Sequence, residues 1–218
     1  LLNKGVDYYY MQTRAEHLKA AVMSYFRFER QWIAATEVTY SDISGIADVL
    51  CDTGDEIIEV ETKVDKSDLL DLELKKKKHE YFKTLQGEDD LVSKHVPNKF
   101  YICVPKNMER VARQFIEEIN PAYGLILFDT RALKINARSV ELVKHPRKLH
   151  EGYDKNVRDL LVNRLSSEVA NFHLKKANDS FRHTEESKAS PLGSRGYRRP
   201  RATTEEENFI EEETTVIE

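Results

Sequence analysis

The sequence predicts an α/β fold, a mixed sheet with helices on both faces, from three observations. Three consecutive strand-like runs, 32–40, 45–51 and 56–64, form a meander. The later strand-like runs, at 99–104 and 123–128, alternate with helical patterns. An amphipathic helix opens the ordered part, with Leu18, Ala21, Val22, Tyr25 and Phe26 at helical spacing.

In chain order, the first helix is expected over 12–30, with Thr13 as N-cap and Glu16 completing a capping box. Residues 32–40 alternate and favour strands, and the polar turn at Ser41-Asp42 leads to the apolar run 45–51. Thr53-Gly54-Asp55 is a turn signal, after which 56–64 reads as the third strand. Ser67 caps a helix expected to run to Leu85, because Leu70, Leu74, Lys78, Tyr81 and Leu85 recur on one helical face. A polar loop at 86–97 precedes the strand 99–104, which Pro105 stops. A helix at 107–118, a strand at 123–128, an extended stretch at 134–144 and a long helix at 154–176 follow.

Composition narrows the class. The chain has 218 residues, 40% hydrophobic and 33% charged, with a mean hydropathy of −0.61. This suffices for one core while leaving a polar remainder. No apolar run approaches the length of a membrane span, and the start, Leu1-Leu2-Asn3-Lys4-Gly5, is too polar for a signal peptide. Cys51 and Cys103 provide neither a disulfide framework nor a CxxC pair. A cytoplasmic protein with no membrane association is the expectation.

The net charge of −4 is unevenly spread. Seven glutamates and no Lys or Arg lie in 205–218, and without them the net charge becomes +3. The basic stretch around Arg195, Arg198, Arg199 and Arg201 comes just before. The expected organisation is a flexible N-terminus at 1–11, one domain at 12–177 and a disordered charged tail at 178–218.

Asp48 lies in the otherwise apolar Ile46-Ala47-Asp48-Val49-Leu50, and Glu61-Thr62-Lys63 ends the next strand. Aspartate is disfavoured in strands, and buried charge needs a partner or a metal. Residues 61 and 63 share a strand face, so pairing of the two strands would bring two carboxylates and an ammonium together. Such a trio suits Mg²⁺ or Mn²⁺ beside a phosphate ester. On spacing alone, an exposed hairpin carrying a Glu61–Lys63 surface ion pair explains the same residues. The seven histidines show no metal spacing, and no phosphate-binding glycine loop is present.

The combination of Ile46-Ala47-Asp48-Val49, Ile58-Glu59-Val60-Glu61-Thr62-Lys63-Val64, Lys77-Lys78-His79-Glu80-Tyr81, Phe100-Tyr101-Ile102-Cys103-Val104-Pro105 and Gly124-Leu125-Ile126-Leu127 resembles the PD-(D/E)xK nuclease superfamily. Within it, the chain looks most like the MmcB-like DNA-repair endonucleases, over roughly residues 12–130. The resemblance implies a restriction-endonuclease-like α-β-β-β-α-β core, here with an extra C-terminal helix. It implies a Mg²⁺- or Mn²⁺-dependent deoxyribonuclease acting in repair, recombination or phage DNA processing, alone, as a homodimer or with a partner protein. Asp48 and Glu61 take the metal-ligand positions and Lys63 that of the catalytic lysine. Glu37 matches a further acid of the metal shell and Glu16 the helix glutamate, while Lys78 and Tyr81 lie on the helix that borders the site. The chain departs from its relatives at Gly45-Ile46, where they often carry basic residues. The alternative is a non-cleaving nucleic-acid-binding or protein-interaction module on the same fold.

Overall fold

The computed structural model describes residues 13–41, 45–85 and 96–189, with 41 and 182–189 described by backbone alone. The order of elements is α1 (Ala15–Ser24), β1 (Ile33–Ser41), β2 (Gly45–Asp52), β3 (Ile57–Thr62), α2 (Lys78–Thr84), β4 (Lys99–Pro105), α3 (Glu109–Ile119), β5 (Gly124–Phe128), β6 (Val140–Lys144) and α4 (Asn156–Ala189). The six strands form one mixed sheet in sequence order. β1, β2 and β3 pair antiparallel, β3–β4 and β4–β5 are parallel, and β6 returns antiparallel to β5. The meander followed by crossover helices is the α/β arrangement that the sequence predicts, and the stretch at 134–144 supplies a sixth strand.

Side-chain alternation distributes the core over the two faces. Val49, Cys51, Ile58, Val60, Tyr101, Cys103 and Ile126 pack under Leu18, Ala21 and Val22 of α1 and Phe26 of the π-turn that follows it. On the opposite face, Phe100, Ile102, Val104, Leu125 and Leu127 meet Phe82 of α2 and Ala112, Phe115 and Ile116 of α3. Val157 and Leu161 at the start of α4 cover Ala35, Leu50 and Ile57 on that same face. Glu59, Glu61 and Lys63 belong to the α2 face because they alternate with Ile58, Val60 and Thr62.

Three element boundaries differ from the sequence expectation. α1 begins after Arg14, whose N–H donates to Nδ1 of His17 at 3.3 Å, so the third helical position is His17 and Glu16 closes no box with Thr13. The expected helix over 67–85 is not continuous. A π-turn at Asp68–Leu72 and a 3₁₀ turn at Glu73–Lys75 end where Lys76 becomes extended (ψ 122°), and only then does α2 start. Leu70 and Leu74 are consequently exposed instead of extending an apolar stripe. α4 runs on to Ala189, past the expected end at 176. The chain divides into two units, Leu1–Phe172 and His173–Glu218, a few residues before the expected boundary at 177. The expected flexible segment 1–11, most of the loop 86–97 and the tail beyond 189 lie outside the described residues.

Gly124 marks a tight crossing in the sheet. A Cβ there would come within 2.5 Å of the Tyr101 ring and 2.9 Å of the carbonyl oxygen of Lys144. Tyr101 is its parallel-strand partner and is almost fully buried, so the ring has no room to swing aside. Gly124→Ala is expected to destabilise the fold by about 1–3 kcal/mol through overpacking, measured as a lower urea midpoint at unchanged slope.

Candidate functional site

The middle of β1 and β2 is where the sheet departs from regular pairing. Thr36 pairs with Val49 and Val38 with Ala47, which leaves Glu37 opposite Asp48. Ala34 and Val49 point into the α1 side of the sheet, but Val38 and Ala47 point to the other side. The phase of both strands therefore reverses at this one pair. Glu37 achieves the reversal with φ 53°, a left-handed conformation that costs a non-glycine residue about 1–2 kcal/mol. The two carboxylates then converge on one cation. Nζ of Lys19, from α1, lies 2.7 Å from Glu37 Oε1 and 3.2 Å from Asp48 Oδ1. Burial pushes the Lys19 ammonium down, but the hydrogen bond to Glu37 and the charge of Asp48 outweigh this, and its pKa is raised.

Asp48 also touches the third strand. Its Oδ2 accepts the backbone N–H and the hydroxyl of Thr62, each at 2.8 Å. Thr62 is the middle residue of Glu61-Thr62-Lys63, and the β2–β3 ladder has stopped at Val49↔Val60 just before it. The aspartate thus fills the fork between the strands and is bonded directly to the segment the sequence singles out. Its carboxylate turns toward α1, however, as does the Thr62 hydroxyl. Glu61 and Lys63 are one residue away on either side of Thr62 and face α2.

On that second side lies an ion network. Nζ of Lys78 donates to Glu59 Oε1 at 2.8 Å and to Glu61 Oε1. Lys76 Nζ is 2.9 Å from Glu61 Oε2 and 2.8 Å from Glu73 Oε2. Lys63 Nζ is 3.0 Å from Glu73, 3.4 Å from Glu61 and 3.4 Å from Asp68. His79 joins Glu73 to the Tyr123 hydroxyl at 2.9 and 2.8 Å, and the Tyr40 hydroxyl donates to Glu59 Oε2 at 2.7 Å. Glu59, Glu61, Glu73 and Lys78 are all buried, and Lys78 Nζ also stands 4.9 Å from the Phe100 ring centroid.

The burial shapes the charges. Glu61 is pushed up by desolvation, an effect that Lys78 and Lys76 offset only in part. For Glu73 desolvation also works upward, but the His79 hydrogen bond and the ammoniums of Lys78, Lys76 and Lys63 hold it well below the usual carboxylate range. Lys63 and Lys78 lose solvation too, yet Glu73 and Glu61 for the former, and Glu59 and Glu61 for the latter, keep both ammoniums well above an ordinary lysine.

The predicted residues are therefore sorted into two groups. Glu37 and Asp48 come together on Lys19, while Glu61 and Lys63 come together with Lys76, Lys78 and Glu73. The expected convergence of Asp48, Glu61 and Lys63 in one pocket does not occur, because Asp48 turns to the Thr62 side of β3. Lys78 does not extend its head to solvent as a stripe lysine would, because the break at Lys76 turns it inward onto Glu59 and Glu61. Tyr81 is half-buried against the α2–α3 core. Glu16 is exposed on the first turn of α1 and takes no part in the Lys19 ion pairs. Among the described residues no three Asp, Glu, His or Cys side chains gather in a metal-holding group. Glu37 and Asp48 nonetheless fit a hard cation, since their oxygens already share an ammonium, whereas Glu61 does not face it.

Sequence reasoning missed Lys19, Thr62, Glu59 and Glu73. Glu59 carried the same signal as Asp48, an acid inside the apolar run Ile57-Ile58-Glu59-Val60. Lys19 and Glu73 carried none, because nothing local distinguishes them from solvated helix positions.

No protein-family model matches the chain, and no curated protein matches it. Among solved structures, the chain is similar to the SPO1766 protein of unknown function from Silicibacter pomeroyi, at 14% identity and a TM-score of 0.48, covering 78% of this chain and 95% of that one.

Proposed function

We propose that the chain is a Mg²⁺- or Mn²⁺-dependent nuclease that hydrolyses phosphodiester bonds of DNA in a repair, recombination or phage-type process. The observation that carries this reading is the hydrogen-bonded contact between Asp48 and Thr62, which joins the acid of β2 to the Glu61-Thr62-Lys63 segment at the strand fork. Asp48 and Glu37 would hold the cation. When bound, it supplies Lewis-acid polarisation of a phosphoryl oxygen and a more acidic water. Thr62 fixes the Asp48 carboxylate through its own backbone and side chain, so the other oxygen stays turned toward the ammonium that Glu37 shares. Lys63 faces α2, on the other side of β3 from the pair, so in this reading it is a positioning residue: its ion pairs hold the Glu61-Thr62-Lys63 segment that fixes Asp48. Glu61 acts through Lys63 in this reading, holding the ammonium from 3.4 Å. The alternating helix and sheet layers lack any helix long and apolar enough to cross a membrane among the described residues, and the two cysteines are free and buried. Both features suit a cytoplasmic site of action.

A second reading, a nucleic-acid-binding module without cleavage, is favoured by the ammonium partners that Asp48, Glu61 and Glu73 already have. Incubation with linear, flapped, nicked and four-way DNA, and with RNA, in Mg²⁺ or Mn²⁺ separates the two. Divalent-dependent cutting of DNA that Asp48→Asn lacks is the expected result. Binding without cutting in either ion replaces the first reading by the second.

A further inference from the structure

We infer that Lys19 is a built-in cation at the Glu37–Asp48 pair and that its ammonium competes there with a divalent ion. This rests on the reading that the pair carries the cation of the proposed reaction. Nζ of Lys19 is within 2.7 Å of one carboxylate and 3.2 Å of the other, and a Mg²⁺ ion bonding both carboxylates needs that same volume. The two cations repel each other and cannot share it.

The surroundings fix the acids and leave the lysine free to yield. Asp48 is locked by two hydrogen bonds to Thr62, and Glu37 is turned toward the pair by a backbone that departs from the strand. Lys19, in contrast, is attached through four methylenes to the surface of α1, and its side chain retains 15% exposure. Glu37 is 57% exposed, so the pair opens to solvent on the side from which an ion arrives. A divalent ion therefore enters by exchange: the ammonium swings to solvent and the acids keep their places. The device sets a threshold, in that one of the pair's two negative charges stays neutralised and the acids stay bound together until ion or ion–phosphate is present to displace the lysine.

Calorimetric titration of the full chain with Mn²⁺ tests this without reference to activity. Lys19→Met is expected to bind Mn²⁺ at least about tenfold more tightly than the wild type, since a like charge within contact distance shifts an ionic equilibrium by a decade or more. Lys19→Arg keeps the charge and is expected to remain near the wild type. Adding Asp48→Asn to Lys19→Met is expected to remove the gain. Equal or weaker Mn²⁺ binding by Lys19→Met overturns the inference, as does a gain that survives Asp48→Asn. Should Lys19→Met be unfolded without ion, refolding on addition of Mn²⁺ supports the inference and failure to refold at saturating Mn²⁺ overturns it. A wild type that cuts no DNA rejects the nuclease reading and leaves these affinities untouched. Unchanged affinities reject the role of Lys19 and leave any cleavage standing.

Discussion

Lys78→Met is expected to lower the unfolding free energy by about 3–5 kcal/mol, because it leaves the buried Glu59 without its ion-pair partner and takes from Glu61 one of its ammoniums. Methionine preserves the length and most of the volume of the side chain, so the loss reports charge and hydrogen bonding. Glu59 and Glu61 are both buried and both bonded to this ammonium, and Glu61 alone of the two also meets Lys76 and Lys63. Equilibrium urea denaturation measures the change, and an unfolding free energy within about 1 kcal/mol of the wild type would reject the assignment. Adding Glu59→Gln to Lys78→Met is expected to recover part of the loss, since it removes one of the stranded charges.

The pH dependence of that difference has a definite sign. Lys78 and Lys63 titrate above the ordinary lysine value in the folded chain, so their contribution is complete below about pH 10 and is lost as pH climbs through the raised folded values. Glu73 is held low, so its contribution is complete above about pH 4 and is lost only as pH falls through its depressed folded value. The gap between wild type and Lys78→Met should therefore narrow in strong alkali, and narrow also toward acid, because Glu61, already pushed up by burial, takes a proton more readily once the ammonium is gone.

Lys63→Ala is expected to reduce DNA cleavage by up to about a hundredfold, the loss that a small misplacement caused by a residue away from the chemistry can produce, because it loosens the segment that fixes Asp48. Mn²⁺ binding should persist, because Lys63 contacts Glu61, Asp68 and Glu73 and not the Glu37–Asp48 pair. Single-turnover cleavage at saturating Mn²⁺, read beside the calorimetric affinity and the circular dichroism of the variant, distinguishes a positioning role from a folding one. Equal cleavage by the folded variant and the wild type would remove Lys63 from the reaction. Lost metal binding together with lost cleavage would mean that the two groups of charges are one site.

Much of the architecture was legible because it depends on short-range periodicity. Alternation over 32–40 and 56–64, the turn at Gly54 and the stop at Pro105 each act within a few residues, and all the predicted strands are present. Position 48 was also legible as special, since an aspartate in an apolar strand demands a partner wherever the strand lies. Its partner was not. Lys19 stands on a helix far from Asp48 in sequence, and only the packing of α1 over β2 and β3 brings its ammonium to the pair. The helix expected over 67–85 failed for a related reason. Its apolar spacing was real, but three buried glutamates outweigh the helical continuity of one segment, and the chain breaks at Lys76 to bring Lys76, Lys78 and His79 to them.

By itself, then, the order of residues determined the strand and helix sequence, the mixed sheet and the identity of the acids and lysines that carry charge into it. Which acid meets which lysine was decided only in three dimensions. A single left-handed residue at Glu37 and the close of the ladder at Val49↔Val60 turn Asp48 toward Thr62 and Lys19, and no local pattern encodes that turn. Alternation says that neighbours on a strand face opposite ways, but the strand pairing and the helix packed above it choose the cation that each face receives.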